Sequence, residues 1–231
     1  MSGRSRLRDY GEALLVAVLL AVFARTFVVQ AFKIPTGSME ENLLVGDHVL
    51  VNKLVLAPTA SAVERALLPI REVRRGDVIV FRFPDDPGRD FIKRCVGLPG
   101  DRIRLVDKRL FLNGLPVEES ALVVHQDPHV YPESRFLDET IRHRDNFGPY
   151  VVPPYHYFVL GDNRDLSNDS RFWGPVPRHL VKGRPLMVYW SVERPAPAGF
   201  DSGSGLLAAA GRAFSQILPR TRWERCLRVV R

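Results

Sequence analysis

Residues 13–24 read ALLVAVLLAVFA, twelve apolar side chains without a break. A helix that is apolar on every side belongs in a protein core or a bilayer. At ~1.5 Å per residue, twelve residues cover ~18 Å, well short of a hydrocarbon layer of ~30 Å. A span therefore borrows flanking residues, from about Tyr10 to Val28, and Arg25 falls near an interface where its long stem lets the charge reach headgroups. A cleaved leader needs a small-x-small site soon after the apolar run, and RTFVVQAF offers none. A buried soluble helix is the other reading, but Arg4, Arg6 and Arg8 ahead of the run favour a retained single-pass anchor. By the positive-inside rule these arginines put residues 1–9 in the cytoplasm and the chain after residue 28 on the outer side.

The charge distribution agrees with a membrane setting. The chain of 231 residues carries a formal net charge of +7. Residues 1–33 hold +3 and residues 211–231 hold +5, which leaves −1 for everything between. Basic ends around a neutral middle suit anionic headgroups better than nucleic acid, and no nucleic-acid motif is present. Two distant cysteines, Cys95 and Cys226, make no disulfide framework.

Beyond residue 30 the apolar period changes from helical to alternating. HVLVNKLV (48–55), DVIVFRF (77–83), FIKRCV (91–96), RIRLV (102–106), RLFLNGLPV (109–117), YHYFVLGD (155–162) and RPLMVYW (184–190) are short β-type runs. Turn signals separate them, among them Arg75-Gly76-Asp77, the 97–101 stretch GLPGD and the hairpin pair Asn113-Gly114. The fold expected over residues 29–193 is mainly β. Residues 118–150 are weakly patterned and read as an insertion or surface excursion. RPAPAG at 194–199 closes the domain. Residues 194–231 then read as a linker and basic tail, with Leu207, Ala210, Phe214 and Ile217 at the spacing of a short amphipathic helix on a membrane surface.

Three stretches carry groups able to do chemistry. In FKIPTGSMEENL (32–43), Ser38 follows a proline bend just outside the apolar segment. A serine hydroxyl needs a base beside it, usually histidine. None of the six histidines lies in a stretch that looks like a site. Lys93 in DFIKRCVGLPGD is the better candidate. On a strand it shares a face with Phe91 and Cys95, and burial between such neighbours disfavours the ammonium and leaves an amine able to accept a proton. The third stretch, GDNRDLSNDSRFWGPVP (161–177), superficially resembles a calcium loop. It lacks the central glycine and has Trp173 in place of the bidentate glutamate, so no metal is expected. No cofactor is expected either.

Taken together, in this order behind one anchor, FKIPTGSM with GDHVLVNK, RGDVIVFRFP, FIKRCVGLPGD and GDNRDLSNDSRFWGPVP resemble bacterial type I signal peptidase. That family comprises membrane-anchored Ser/Lys endopeptidases that remove signal peptides from exported preproteins. The resemblance covers roughly residues 10–190. It implies an antiparallel sheet or partly closed barrel, with signal peptides and the lipid bilayer as partners and the export machinery as a neighbour. By position it implies Ser38 as nucleophile, Lys93 as general base, and the Ser38 N–H with the Thr36 hydroxyl as oxyanion donors. Ser167 would orient the lysine. Asp162 with Arg94, and Asp169 with Arg171, would be supporting pairs. Phe32, Ile34, Met39, Phe91 and Ile92 would line pockets for small residues one and three places before the cut. One departure bears on pocket shape and local charge: Glu40-Glu41-Asn42 follows Ser38-Met39, where the family usually has proline and a small residue.

Overall fold

The computed structural model describes residues 3–56, 70–119, 121–134, 136–193 and 219–230. Helix α1 (Gly3–Phe23) runs into a π-helical turn (Ala24–Val28), and strand β1 (Val29–Lys33) starts at the next residue. Among the described residues one helical stretch, Arg8–Val28, is long and apolar enough to cross a membrane, and none of it is buried against the rest of the chain. That is the stretch expected from the apolar run.

The remainder is mainly β, as expected. A large antiparallel sheet contains β1, β2 (Asp47–Asn52), β3 (Val78–Arg82), β4 (Asp90–Gly97), β9 (His156–Leu160), β10 (Val176–Pro177) and β11 (Val181–Ser191). Its order is β1-β2-β11-β3-β4-β9-β10, and a short β12 (Arg228–Val229) pairs with β11 at Met187 and Val188, on the edge opposite β2. A second, four-stranded sheet has the order β7-β6-β5-β8, from β5 (Arg102–Val106), β6 (Arg109–Leu112), β7 (Leu115–Pro116) and β8 (Phe147–Val151). The first sheet bends at irregular registers, with shifts in β11 against β2 and β3 and in β4 against β9. Such irregularities let a sheet curl into a half-barrel.

Local sequence explains the turns. Asn113 and Gly114 both have positive φ and close the β6–β7 hairpin in two residues. Asp107 and Lys108 do the same between β5 and β6 without glycine, and the Lys108 amine is tied down by Asp165 at 3.0 Å and by the Asp127 carbonyl at 2.6 Å. Each sheet buries its alternating residues. One cluster holds Ile34, Met39, Leu43, Val49, Val51, Val78, Val80 and Val230. A second holds Ile79, Phe81, Cys95 and Val159, and a third beneath the small sheet holds Ile103, Leu105, Leu110 and Phe158.

Two readings of the sequence change here. Residues 118–150 are not only a surface excursion. They include helix α2 (Glu139–Asp145), and their last residues enter β8, which pairs with β5 and helps complete the second sheet. Alternation is weak there because β8 contains Gly148 and Pro149. The basic tail is not wholly a membrane-surface segment either, since 219–230 packs against the large sheet. The helix expected at 207–217 lies outside the described residues.

Candidate active site

Ser38 sits in the turn between β1 and β2, and Lys93 in the middle of β4. The chain brings them together over 55 positions: Lys93 Nζ lies 2.5 Å from Ser38 Oγ. Both are buried, Ser38 at 9% and Lys93 at 4% of full exposure. β4 pairs with β3 through Asp90–Arg94 and with β9 only from Arg94 onward. Lys93 thus lies where one edge of the strand is about to become free.

Burial pulls the Lys93 amine down from 10.5 to about 8. Asp169 and Asp162 oppose this and the Arg171 guanidinium assists it. Burial wins because both carboxylates are already matched. Arg94 grips Asp162 through two contacts of 2.6 Å, and Arg171 holds Asp169 at 2.8 and 2.9 Å. Each pair is neutral as a unit, so little negative field remains to hold a proton on the lysine. Burial disfavours the charge on Asp169, yet Arg171 and the Gly161 N–H keep its carboxyl below the usual range. Cys95, two residues beyond Lys93, is a buried free thiol whose ionisation burial pushes up, which leaves it unreactive.

The loop after β9 braces the nucleophile from behind. The Asn163 N–H donates to the Ser38 carbonyl at 3.2 Å. Asp169 caps helix α3 (Ser170–Trp173) by accepting from the Arg171 N–H, and Ser170 Oγ accepts from Val159. Gly161 lies so close to this junction that a Cβ there would come within 2.2 Å of Ser167 Oγ and 2.5 Å of the Ser38 carbonyl. Ser167 Oγ is buried against the Asp169 carboxylate, which it helps to keep ionised, and it makes no hydrogen bond to Lys93.

A cleft of about 460 Å³ opens over Ser38 and Lys93. Phe32, Ile34, Thr36, Met39, Phe91 and Ile92 all line it. Ile34 and Met39 are fully buried in its floor, whereas Thr36 is exposed at its rim. Phe91 packs toward the second core cluster and Ile92 toward the first. The Phe91 ring centre lies 5.8 Å from the Lys93 amine. Sequence reasoning missed Leu166, an exposed apolar side chain on the cleft wall, along with Asn168, Arg89 and Asp90. It also missed Gly161, whose need for space becomes visible only when residues 38 and 167 meet there. No cluster of metal-binding side chains occurs among the described residues.

The description "Signal peptidase, peptidase S26" matches residues 7–190, most of the chain. The chain belongs to the signal peptidase family. Signal peptidase I of Pseudomonas fluorescens is 37% identical over 211 residues, covering 82% of this chain and 74% of that protein. Signal peptidase I of Aquifex aeolicus is 33% identical over 227 residues, covering 79% and 84% respectively. A crystal structure of a signal peptidase I from Enterococcus faecalis is 31% identical, covers 50% of this chain and 97% of that one, and has a TM-score of 0.38. Membership makes the chain a serine peptidase of the signal peptidase I type, an enzyme that cleaves signal peptides.

Proposed function

We propose that Ser38 and Lys93 form the catalytic dyad of this signal peptidase and that it cuts exported preproteins after small-x-small sequences. The observation that carries this reading is the buried amine 2.5 Å from the serine hydroxyl. Uncharged, Lys93 takes the Ser38 proton as Oγ attacks the scissile carbonyl. The resulting oxyanion lies between the Ser38 N–H and the Thr36 hydroxyl at the cleft rim. The ammonium of Lys93 then gives its proton to the leaving amine, and the mature chain departs. With its amine free again, Lys93 draws a proton from a water that attacks the acyl ester, which releases the leader and restores Ser38. The buried Ser167 hydroxyl, beside the Asp169 carboxylate, supports a role as acceptor for the transient ammonium.

The substrate lies extended in the cleft and adds as a strand along β4. Cys95 and Gly97 already pair with β9 and Arg94 pairs on both sides, so the available edge is shorter than 91–96 and is confined to 90–93. Phe32, Ile34, Met39, Phe91 and Ile92 form shallow apolar walls that accept small side chains and exclude bulk. The apolar helix supports an anchored enzyme, with residues 1–9 cytoplasmic and the site on the outer face.

Purified full-length enzyme in detergent should cleave a preprotein whose leader ends in Ala-x-Ala. Ser38→Ala and Lys93→Ala should each leave no measurable cleavage while the fold is kept. Cleavage by Lys93→Ala at more than a trace of the parent rate would remove the general-base assignment. Digestion of intact spheroplasts by an added protease should remove the β domain; full protection would reverse the orientation.

A further inference from the structure

The nucleophile turn is closed from outside by the C-terminal segment, which comes back to it after nearly the whole chain. Arg225 is buried at 6% exposure and reaches two partners on the turn after Ser38. Its guanidinium donates to Asp47 at 2.6 and 3.2 Å, and the nitrogen that makes the shorter contact also donates to the Asn42 carbonyl at 3.0 Å. Asp47 is fully buried where the turn enters β2 and ties the turn's last residues to β11, accepting from the Leu44 N–H at 2.9 Å and from Ser191 Oγ at 2.6 Å. Arg222 adds a donation to the Val45 carbonyl at 2.7 Å. Val230 lies in the same cluster as Met39, the residue next to the nucleophile, and as Leu43. The Leu43 N–H in turn donates to the Met39 carbonyl at 2.7 Å, so the carbonyl gripped by Arg225 belongs to the turn that carries Ser38.

The segment is also locked to the sheet. The Leu227 N–H bonds the Val188 carbonyl at 2.7 Å and the Val230 N–H bonds the Leu186 carbonyl at 2.9 Å. The arginine is therefore held on a rigid support, and a guanidinium is suited to the task because its planar fork can satisfy a carboxylate and a carbonyl at once. Buried polar contacts of this kind specify one arrangement of the backbone they grip.

We infer that Arg225 is a positioning residue of the active site, fixing the backbone of the turn 39–47 so that Ser38 Oγ is held against the Lys93 amine. This rests on Ser38 and Lys93 being the reacting pair. Arg225 touches neither substrate nor reacting atoms and acts only through the turn.

The decisive variant is Arg225→Lys in the full-length enzyme. It keeps a positive charge beside buried Asp47, and so keeps the fold, but a single ammonium nitrogen loses the two-point grip in which Nε and the terminal nitrogen each hold one oxygen of Asp47. The expected result is kcat lowered at least fivefold per folded enzyme, with KM for the preprotein within twofold of the parent. Folded fraction is counted by near-ultraviolet circular dichroism. Leu105→Ala, in the distant third cluster, serves as the stability control: it should lower Tm and leave kcat per folded enzyme unchanged. In the double variant Asp47→Asn/Arg225→Met, which removes both charges together, kcat should fall further. A kcat within twofold of the parent in folded Arg225→Lys, or a drop in kcat no larger than that of Leu105→Ala at matched Tm, would overturn the inference. Activity in Ser38→Ala would instead overturn the assignment of the nucleophile, whatever Arg225→Lys does.

Discussion

The dyad can be tested by titrating its lysine through the rate. Burial brings Lys93 from 10.5 to about 8. At pH 7 an amine of pKa about 8 is ~9% neutral, whereas one at 10.5 is ~0.03% neutral, so burial supplies about 300 times more base. The assay is kcat/KM for a preprotein in detergent between about pH 6 and pH 10.5, with circular dichroism confirming the fold at each point. Because only the neutral amine can take the serine proton, log kcat/KM should climb by about one per pH unit below pH 8 and level off above it. Ser38 gives up its proton only to this amine, so acylation measured in a single turnover should follow the same curve. A rate that continued to climb to about pH 10 would mean that the amine is solvated before attack, and would refute base catalysis by a desolvated lysine.

Further outcomes follow from the same geometry. A lysine whose folded pKa is depressed destabilises the fold below that pKa and ceases to do so as pH rises to its unfolded value. Lys93→Met should therefore abolish activity yet gain about 3 kcal/mol of stability at pH 7, a gain that shrinks toward zero by about pH 10.5 in thermal melts. Thr36→Val, at an exposed position, should lower kcat by about 10²–10³-fold, equivalent to ~2.7–4 kcal/mol, with an unchanged circular dichroism spectrum. Arg94→Met leaves Asp162 buried without its partner guanidinium and should cost about 3–5 kcal/mol in urea unfolding, most of it recovered in Arg94→Met/Asp162→Asn. Leu166→Glu places a charge on the cleft wall and should raise KM roughly tenfold for an apolar leader while kcat stays within threefold.

Much of this architecture is legible in local sequence. The apolar run around 13–24, the alternation of DVIVFRF and FIKRCV, and the Asn113-Gly114 turn each depend on near neighbours, and neighbours are what a sequence displays. Ser38 and Lys93 are legible as a pair only through the ordered motifs that carry them, since a lone strand lysine is more often solvated. What escaped depends on distant partners. Arg225 reads as one more charge in a basic tail until Asp47, 178 positions away, is placed beside it. Leu166 reads as a loop leucine until β4 arrives opposite. The strand 147–151 hides behind Gly148 and Pro149, whose place in the sheet is set by pairing with β5 and not by any alternation of their own.

The abrupt passage from helix to strand at Val28 and Val29 has a consequence for what can be cut. Roughly ten residues separate the end of the apolar stretch from Ser38, a tether of at most ~35 Å even if drawn straight, and part of it is already fixed in a strand. With the apolar stretch seated in a bilayer as proposed, that tether fixes how far from the membrane Ser38 can sit. The expectation is that lengthening a leader's apolar stretch by one or two helical turns, with its Ala-x-Ala kept, lowers cleavage in membranes but not in detergent.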